Sequence, residues 1–192
     1  MANNCYNTFT FFGNAKVLKQ VSLWRAKLKD LEISSKGTYS DEAIFEVFTS
    51  EELNPDAVIY LGVKWAYPDF GESIPLHEDE LGFVSALSPM EDFQNFITLA
   101  LHKLDKKVVV RLLYSSDPDI EGARYSTVGK KEKISSRSAQ LKYKNDDLED
   151  PDSALFYEHC LDSCEELIEE FPNLKSTLIE HMELLEKAMD EA

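Results

Sequence analysis

What this 192-residue sequence lacks excludes several classes of protein. It contains three cysteines, an odd number that does not form a complete disulfide framework. It has no run of about 18 apolar residues, which a membrane-spanning helix requires. Its first residues carry neither the basic segment nor the apolar segment of a secretory signal. We therefore expect a cytoplasmic protein with reduced thiols and no membrane partner.

Basic residues are also scarce, and the imbalance is uneven along the chain. The net charge is −16, yet residues 1–144 contribute only −2 of it. Residues 145–192 hold 16 acidic side chains against Lys175 and Lys187, which disfavours direct nucleic-acid binding by this tail. A basic run at residues 130–144 could follow nucleic-acid phosphates, but contact with the acidic tail or with solvent is the favoured interpretation.

The chain has enough apolar residues to form a core, at 43% of the total, and their pattern predicts strands and helices in turn. A strand at "CYNTFTFFG" leads to Asn14 in a helix N-cap position, and Ser88 with Pro89 marks the start of a later helix. The strand "DAVIYLGVKWAY" is expected to end in the turn "YPDFG". Further elements are the helix after Asn14, a short helix at "DEAIFEVF", and strands at "LGFVSAL", "KKVVVRLLY" and "IEGARYSTV".

This order of elements predicts an α+β fold, a two-layer ferredoxin-like sandwich with an antiparallel sheet and helices on one face. We assign this domain to residues 1–130. Residues 131–151 are polar and predict an exposed linker. Residues 152–192 have apolar side chains at steps of three and four on both sides of Phe171 and Pro172, which predicts an acidic amphipathic helical hairpin. Its apolar stripe can dock on the body or pair with another chain.

Several short stretches stand in an order that resembles a known family. They are Asn3, Cys5, Asn7 and Gly13, then "LGVKW" (61–65), "FVSALSP" (83–89) and "EGARYS" (121–126). In this order they resemble the YubB-like proteins of plasmids, phages and bacterial genomes. The resemblance implies a ferredoxin-like domain and a mobile genetic element as the setting, and it implies no activity. The chain departs from the family at Asn4 and Leu87, where the family has tryptophan.

Cys5 is the first candidate for chemistry, because two asparagines stand two residues to either side of it. A nucleophilic cysteine needs a base that generates the thiolate, and no histidine lies close to Cys5 in sequence. Asparagine side chains more often bond to neighbouring backbone groups. A buried structural role is therefore favoured over catalysis.

Two other motifs could bind metal ions. In "HCLDSC", Cys160 and Cys164 share one helix face at a spacing that zinc could use, but no fourth ligand is evident. Both cysteines fall on the apolar stripe, so core packing is favoured. "DPDIEG" starts like a calcium loop, but Val128 stands where the bidentate glutamate belongs, so a turn is favoured. We therefore predict no catalytic, cofactor-binding or metal-binding residue.

These observations favour a non-catalytic binding module whose partner is a protein or a second copy of the chain. The expected interaction residues are Lys64, Trp65, Tyr67 and Phe70 in an aromatic loop, and Leu178, Met182, Leu185 and Met189 on the tail stripe. An alternative is a nucleic-acid mimic whose acidic tail occupies the basic groove of a nuclease or regulator. A third is a small enzyme of unknown reaction with a site around Lys64, Trp65 and Cys5.

Overall fold

The structure of the protein is a computed structural model that describes residues 4–35, 40–48, 66–71, 76–86, 88–116, 120–142 and 153–191. Its strands are β1 (Asn4–Phe12), β2 (Ala66–Asp69), β3 (Glu80–Ala86), β4 (Val109–Ser116), β5 (Ile120–Val128) and β6 (Ile134–Lys142). Its helices are α1 (Ala15–Ser35), α2 (Asp41–Phe48), α3 (Glu91–His102), α4 (Ser153–Glu170) and α5 (Lys175–Glu191).

The described strands form one sheet in the order β2-β3-β1-β4-β5-β6, and every neighbouring pair is antiparallel. Strand β1 lies between β3 and β4, with Phe9 opposite Leu81 on one side and Leu112 on the other. Strands β4 and β5 pair as neighbours in sequence, and β6 pairs with β5 along its length. The predicted α+β fold with an antiparallel sheet is confirmed.

Two helix starts show how local signals and tertiary contacts compete. The Asn14 Oδ1 atom accepts hydrogen bonds from the backbone N–H groups of Lys16 (2.9 Å) and Val17 (3.3 Å), which confirms the predicted N-cap of α1. Helix α3 begins at Glu91 with Met90 as its N-cap, so the predicted cap at Ser88 is wrong. The cause is tertiary, because the Met90 N–H donates to the Asn7 side chain at 3.0 Å.

The sheet is covered by helices on both faces. Successive side chains of a strand point to opposite faces. On β4, Val110 and Leu112 belong to a first core cluster with residues of α1, α2 and α3, while Val109 belongs to a second core cluster with residues of α4 and α5. The prediction placed helices on one face of a two-layer sandwich. Helices α4 and α5 add a further layer on the other face.

Two short intervals differ from the sequence prediction. Strand β6 lies within residues 131–151, where a polar linker was predicted, and Ala139 of β6 is buried in the second core cluster. Its polar composition suits its terminal place in the described sheet, because edge strands are partly solvated. Pro68 and Asp69, predicted as part of a turn, belong to β2 (Ala66–Asp69), and an edge position tolerates Pro68. Residues 56–65 of the predicted strand lie outside the described residues.

The C-terminal helices break at the predicted position. Helix α4 ends at Glu170, and α5 begins at Lys175 after a 3-10 turn over Pro172–Leu174. Among the described helices, none is both long enough and apolar enough to span a bilayer. Leu178 is fully buried in the second core cluster, whereas Leu184 on the same helix is 65% exposed.

We predict that Leu178→Ala lowers the free energy of unfolding by about 2–5 kcal/mol, because it leaves a cavity between α5 and the sheet. Leu184→Ala is the matched control and changes stability by less than about 0.5 kcal/mol. Urea denaturation followed by circular dichroism measures both values. Equal effects of the two substitutions would show that α5 does not pack on the sheet.

Candidate functional site

Cys5 and Asn7 lie in a buried polar cluster that joins β1, β3 and the start of α3. The Asn7 Nδ2 group donates to the Cys5 carbonyl oxygen and to Ser85 Oγ, each at 2.9 Å, while its Oδ1 accepts from Met90. Burial raises the pKa of the Cys5 thiol to about 11. The thiol is therefore protonated near neutral pH, which is its unreactive form, and the cluster serves packing.

A second buried polar cluster lies between the sheet and the C-terminal helices. The Tyr125 hydroxyl and His181 Nε2 share a hydrogen bond of 2.9 Å. Burial raises the pKa of Cys164 to about 12 and also raises that of Cys160. Burial, with the positive charge of Arg111, lowers the pKa of His181 to about 3. The described residues contain no group of three or more potential ligands placed to hold a metal ion.

His181 is a residue that sequence reasoning did not select. The available signal was its position, three residues after Leu178 and four before Leu185, which places it on the apolar side of α5. A histidine on that stripe is buried with the stripe and has to be uncharged.

The stretch "EGARYS" contains a buried arginine that anchors α3 to the sheet. Arg124 donates to Gln94 Oε1 at 2.5 Å, to Asn95 Oδ1 at 2.9 Å and to Ser136 Oγ at 3.0 Å. The Gln94 Nε2 group donates in return to the Arg124 carbonyl oxygen at 2.7 Å. Burial lowers the pKa of the guanidinium, and the charge of Glu91 opposes this effect. The network satisfies the polar groups of Arg124 internally and serves packing.

The predicted interaction residues that the structure describes differ in their exposure. Lys64 and Trp65 lie outside the described residues. Tyr67 is 40% exposed on β2, whereas Phe70 packs against the first core cluster.

The apolar stripe of α5 packs inside the chain. Leu178 and Leu185 are buried in the second core cluster, Met182 packs against it, and Met189 is half-buried. The sequence left open whether this stripe docks on the body or pairs with another chain, because both uses require the same apolar spacing. In the structure Leu178 and Leu185 pack on the sheet and are buried, whereas Met182 and Met189 keep part of their surface exposed.

The outer side of α4 and α5 carries a layer of carboxylates, all of them exposed. This acidic layer comprises Glu158, Asp162, Glu165, Glu166, Glu169, Glu170, Glu180, Glu183, Glu186, Asp190 and Glu191. Arg137 on β6 contacts Glu166 at 2.7 Å and Glu170 at 3.0 Å, and Lys187 contacts Glu191. Within the described part of the chain, the other eight carboxylates have no cationic partner.

A cleft of about 650 Å³ lies between the end of β1 and the residues just before β3. Helix α1 forms one wall through Leu18 and Arg25, and α5 forms the other through Thr177 and Glu180. A smaller recess of about 400 Å³ shares Thr177 and Glu180 with it and reaches Asp105. The cleft is therefore bounded by helices from both faces of the sheet.

Comparison of the chain with protein-family models, with curated proteins and with solved structures gave no match. The resemblance to the YubB-like proteins stays a prediction. The acidic layer and the cleft are the two features from which the function has to be argued.

We predict that the thiols react with iodoacetamide only after unfolding. With a pKa of about 11, the Cys5 thiol at pH 7.5 is ionised in less than about one molecule in a thousand. Mass spectrometry after a short labelling pulse at pH 7.5 should find no modified cysteine in the native protein and three in urea. Rapid native labelling at Cys5 would contradict its buried structural role.

We predict that His181 makes the fold sensitive to mild acid. Its pKa of about 3 in the folded state lies below the ordinary value of 6.5, so the unfolded state binds more protons between these values. Stability that is present above pH 6.5 is then lost as the pH falls towards 3, and the loss reaches about 2 kcal/mol at pH 5.

The test compares urea denaturation of the wild type and His181→Gln at pH 7.5 and pH 5. Glutamine can still bond to the Tyr125 hydroxyl, but it does not titrate. The variant should lose less stability between these two pH values than the wild type does, while His77→Gln at an exposed position keeps the wild-type difference. An unchanged difference in His181→Gln would mean that His181 is not buried in its neutral form.

Proposed function

We propose that this protein is a non-catalytic binding module whose partner is a protein with a basic surface. The observation that carries the proposal is the acidic layer, in which eight exposed carboxylates lack a cationic partner among the described residues. The helices that carry the acidic layer are held against the sheet, because their apolar side chains lie in the second core cluster. Charges held on a packed helix need little ordering when a partner binds.

The acidic layer suits protein recognition because it also contains exposed apolar side chains. Leu184 is 65% exposed and stands next to Glu183, and Ile179 is 43% exposed next to Glu180. An exposed ion pair contributes only about 0.2–1 kcal/mol, so the carboxylates mainly speed association and select a basic partner. The apolar side chains supply contact area at the centre of such an interface.

The groups that could carry chemistry support a non-catalytic role. The Cys5 thiol, the Cys164 thiol and the His181 imidazole are buried in their neutral forms. Each contacts side chains that complete its hydrogen bonds or surround it with apolar atoms. A nucleophile would need an accessible thiolate with an adjacent base.

The proposal includes a ferredoxin-like core in a cytoplasmic protein of a bacterial or phage mobile element. The strand order β2-β3-β1-β4, together with the chain order β1, α1, β2, β3, α3, β4, supports the ferredoxin-like core, and the resemblance to the YubB-like proteins supports the mobile-element setting. Among the described elements this order corresponds to the split βαβ arrangement, with helix α2 added before β2. Strands β5 and β6 and helices α4 and α5 then extend this core.

A second candidate is a nucleic-acid mimic, and the same acidic layer favours it. Rows of fixed carboxylates can occupy a basic groove that otherwise holds DNA phosphates. The two candidates differ in one measurable way. A mimic competes with duplex DNA more strongly than with another polyanion of equal charge, whereas a general protein-binding module does not distinguish between them.

The test is site-specific photo-cross-linking in lysate of the native host. Benzoylphenylalanine at position 183 lies in the acidic layer, and the matched control places it at position 23 on α1, where Leu23 is 48% exposed. We expect a discrete cross-linked basic protein from position 183 only. The yield of this cross-link should fall in about 0.5 M salt, because the Debye length is then only a few ångströms.

Duplex DNA and heparin, added at equal charge, separate the two candidates. Loss of the position 183 cross-link with DNA but not with heparin favours mimicry, and equal effects of the two polyanions favour a general protein-binding module. Equal cross-linking from positions 183 and 23, or a yield that does not depend on salt, would contradict a partner recognised through the acidic layer.

A further inference from the structure

The cleft between α1 and α5 is large enough to admit a side chain of a partner and has a lining that is both apolar and polar. Its volume of about 650 Å³ lies within the range of about 300–1,000 Å³ that ligand pockets commonly have. Phe12 at the end of β1 and Leu18 on α1 give it apolar surface. Ser22 and Thr177 place hydroxyl groups on its opposite walls.

The charges around the cleft favour a cation. Glu78 and Asp79, in the turn before β3, and Glu180 on α5 line it, and none of the three has an ion pair within the described residues. Arg25 is the cation of the lining, and its Nη1 group donates to the His77 carbonyl oxygen at 2.6 Å. The lining thus has more negative than positive charge.

The combination of apolar surface and carboxylates matches one kind of side chain. Arginine has an apolar stem that can lie along Leu18 and a planar guanidinium that can bond to carboxylates in pairs. The same planar group stacks favourably on an aromatic ring such as that of Phe12. An anion would be repelled by the carboxylates, and a purely apolar group would leave them partly desolvated without a partner.

We propose that this cleft binds an arginine side chain presented by the protein partner. The proposal rests on the proposed function for the identity of the partner as a basic protein, and the cleft lining shares only Glu180 with the outer acidic layer. Glu180 belongs to both surfaces, so a single partner can contact the acidic layer and insert an arginine at its end. The cleft then fixes where along the layer the partner docks.

The test uses the full chain and a small probe, the peptide acetyl-Gly-Arg-Gly-amide. Two-dimensional ¹H–¹⁵N spectra of the protein are recorded as the peptide is added. We expect saturable shifts at the amides of Gly13, Leu18, Ser22, Asp79, Thr177 and Glu180. The same peptide with citrulline, which has nearly the shape of arginine without its charge, should bind at least about tenfold more weakly, a difference of about 1.4 kcal/mol.

Matched variants locate the binding to the cleft. Asp79→Asn combined with Glu180→Gln should weaken arginine binding about tenfold. Glu183→Gln, one turn further along α5 and outside the cleft lining, should leave it unchanged. Equal binding of the citrulline peptide, equal loss in Glu183→Gln, or shifts that spread over the acidic layer without saturating would each overturn the proposal.

The two proposals fail separately. If the arginine peptide binds in the cleft but no cross-link forms from position 183, the cleft binds an arginine side chain as proposed. The proposed protein partner of the acidic layer is then contradicted. If the cross-link forms and the peptide does not bind, the acidic layer is the interface and the cleft proposal is wrong.

Discussion

The rest of the structure depends on the contact between the C-terminal helices and the second face of the sheet. Strand β4 alternates buried side chains to both faces, so the sheet needs an apolar cover on each side. Helices α1, α2 and α3 cover one face, and Leu167, Leu178 and Leu185 of α4 and α5 cover part of the other. One side of α4 and α5 therefore packs on the sheet, and the other side presents carboxylates to solvent.

Buried polar pairs lie under the helices on both faces of the sheet. Tyr125 and His181 are enclosed between sheet and helices, and each satisfies the other through one hydrogen bond. On the opposite face, Arg124 and Gln94 exchange hydrogen bonds between β5 and α3. Buried polar groups that lack partners cost about 1–3 kcal/mol each, so these pairings specify how each helix sits on the sheet.

Local patterns were enough to predict much of the fold. The run of residues with high β-propensity around Phe9 and the Asn14 cap predicted β1 and α1, and the bounds of "DEAIFEVF" coincide with α2. Contacts between residues that are distant in sequence determine the features that the sequence did not predict. The hydrogen bond from Met90 to Asn7 sets the start of α3. Pairing with β5 makes the polar residues around Ala139 a strand. The apolar stripe that contains Leu178 packs on the sheet. The cleft joins α1 and α5, which no local pattern connects.

The central claim is that the C-terminal helices and the sheet form one folding unit. Native-state hydrogen exchange measures it most directly, because it gives an opening free energy for each amide. The account predicts that the slowest amides of α4 and α5, near Leu167 and Leu178, reach the same free energy as those of β4 and β5. Exchange of all α4 and α5 amides at a much lower free energy than the strand amides would contradict it.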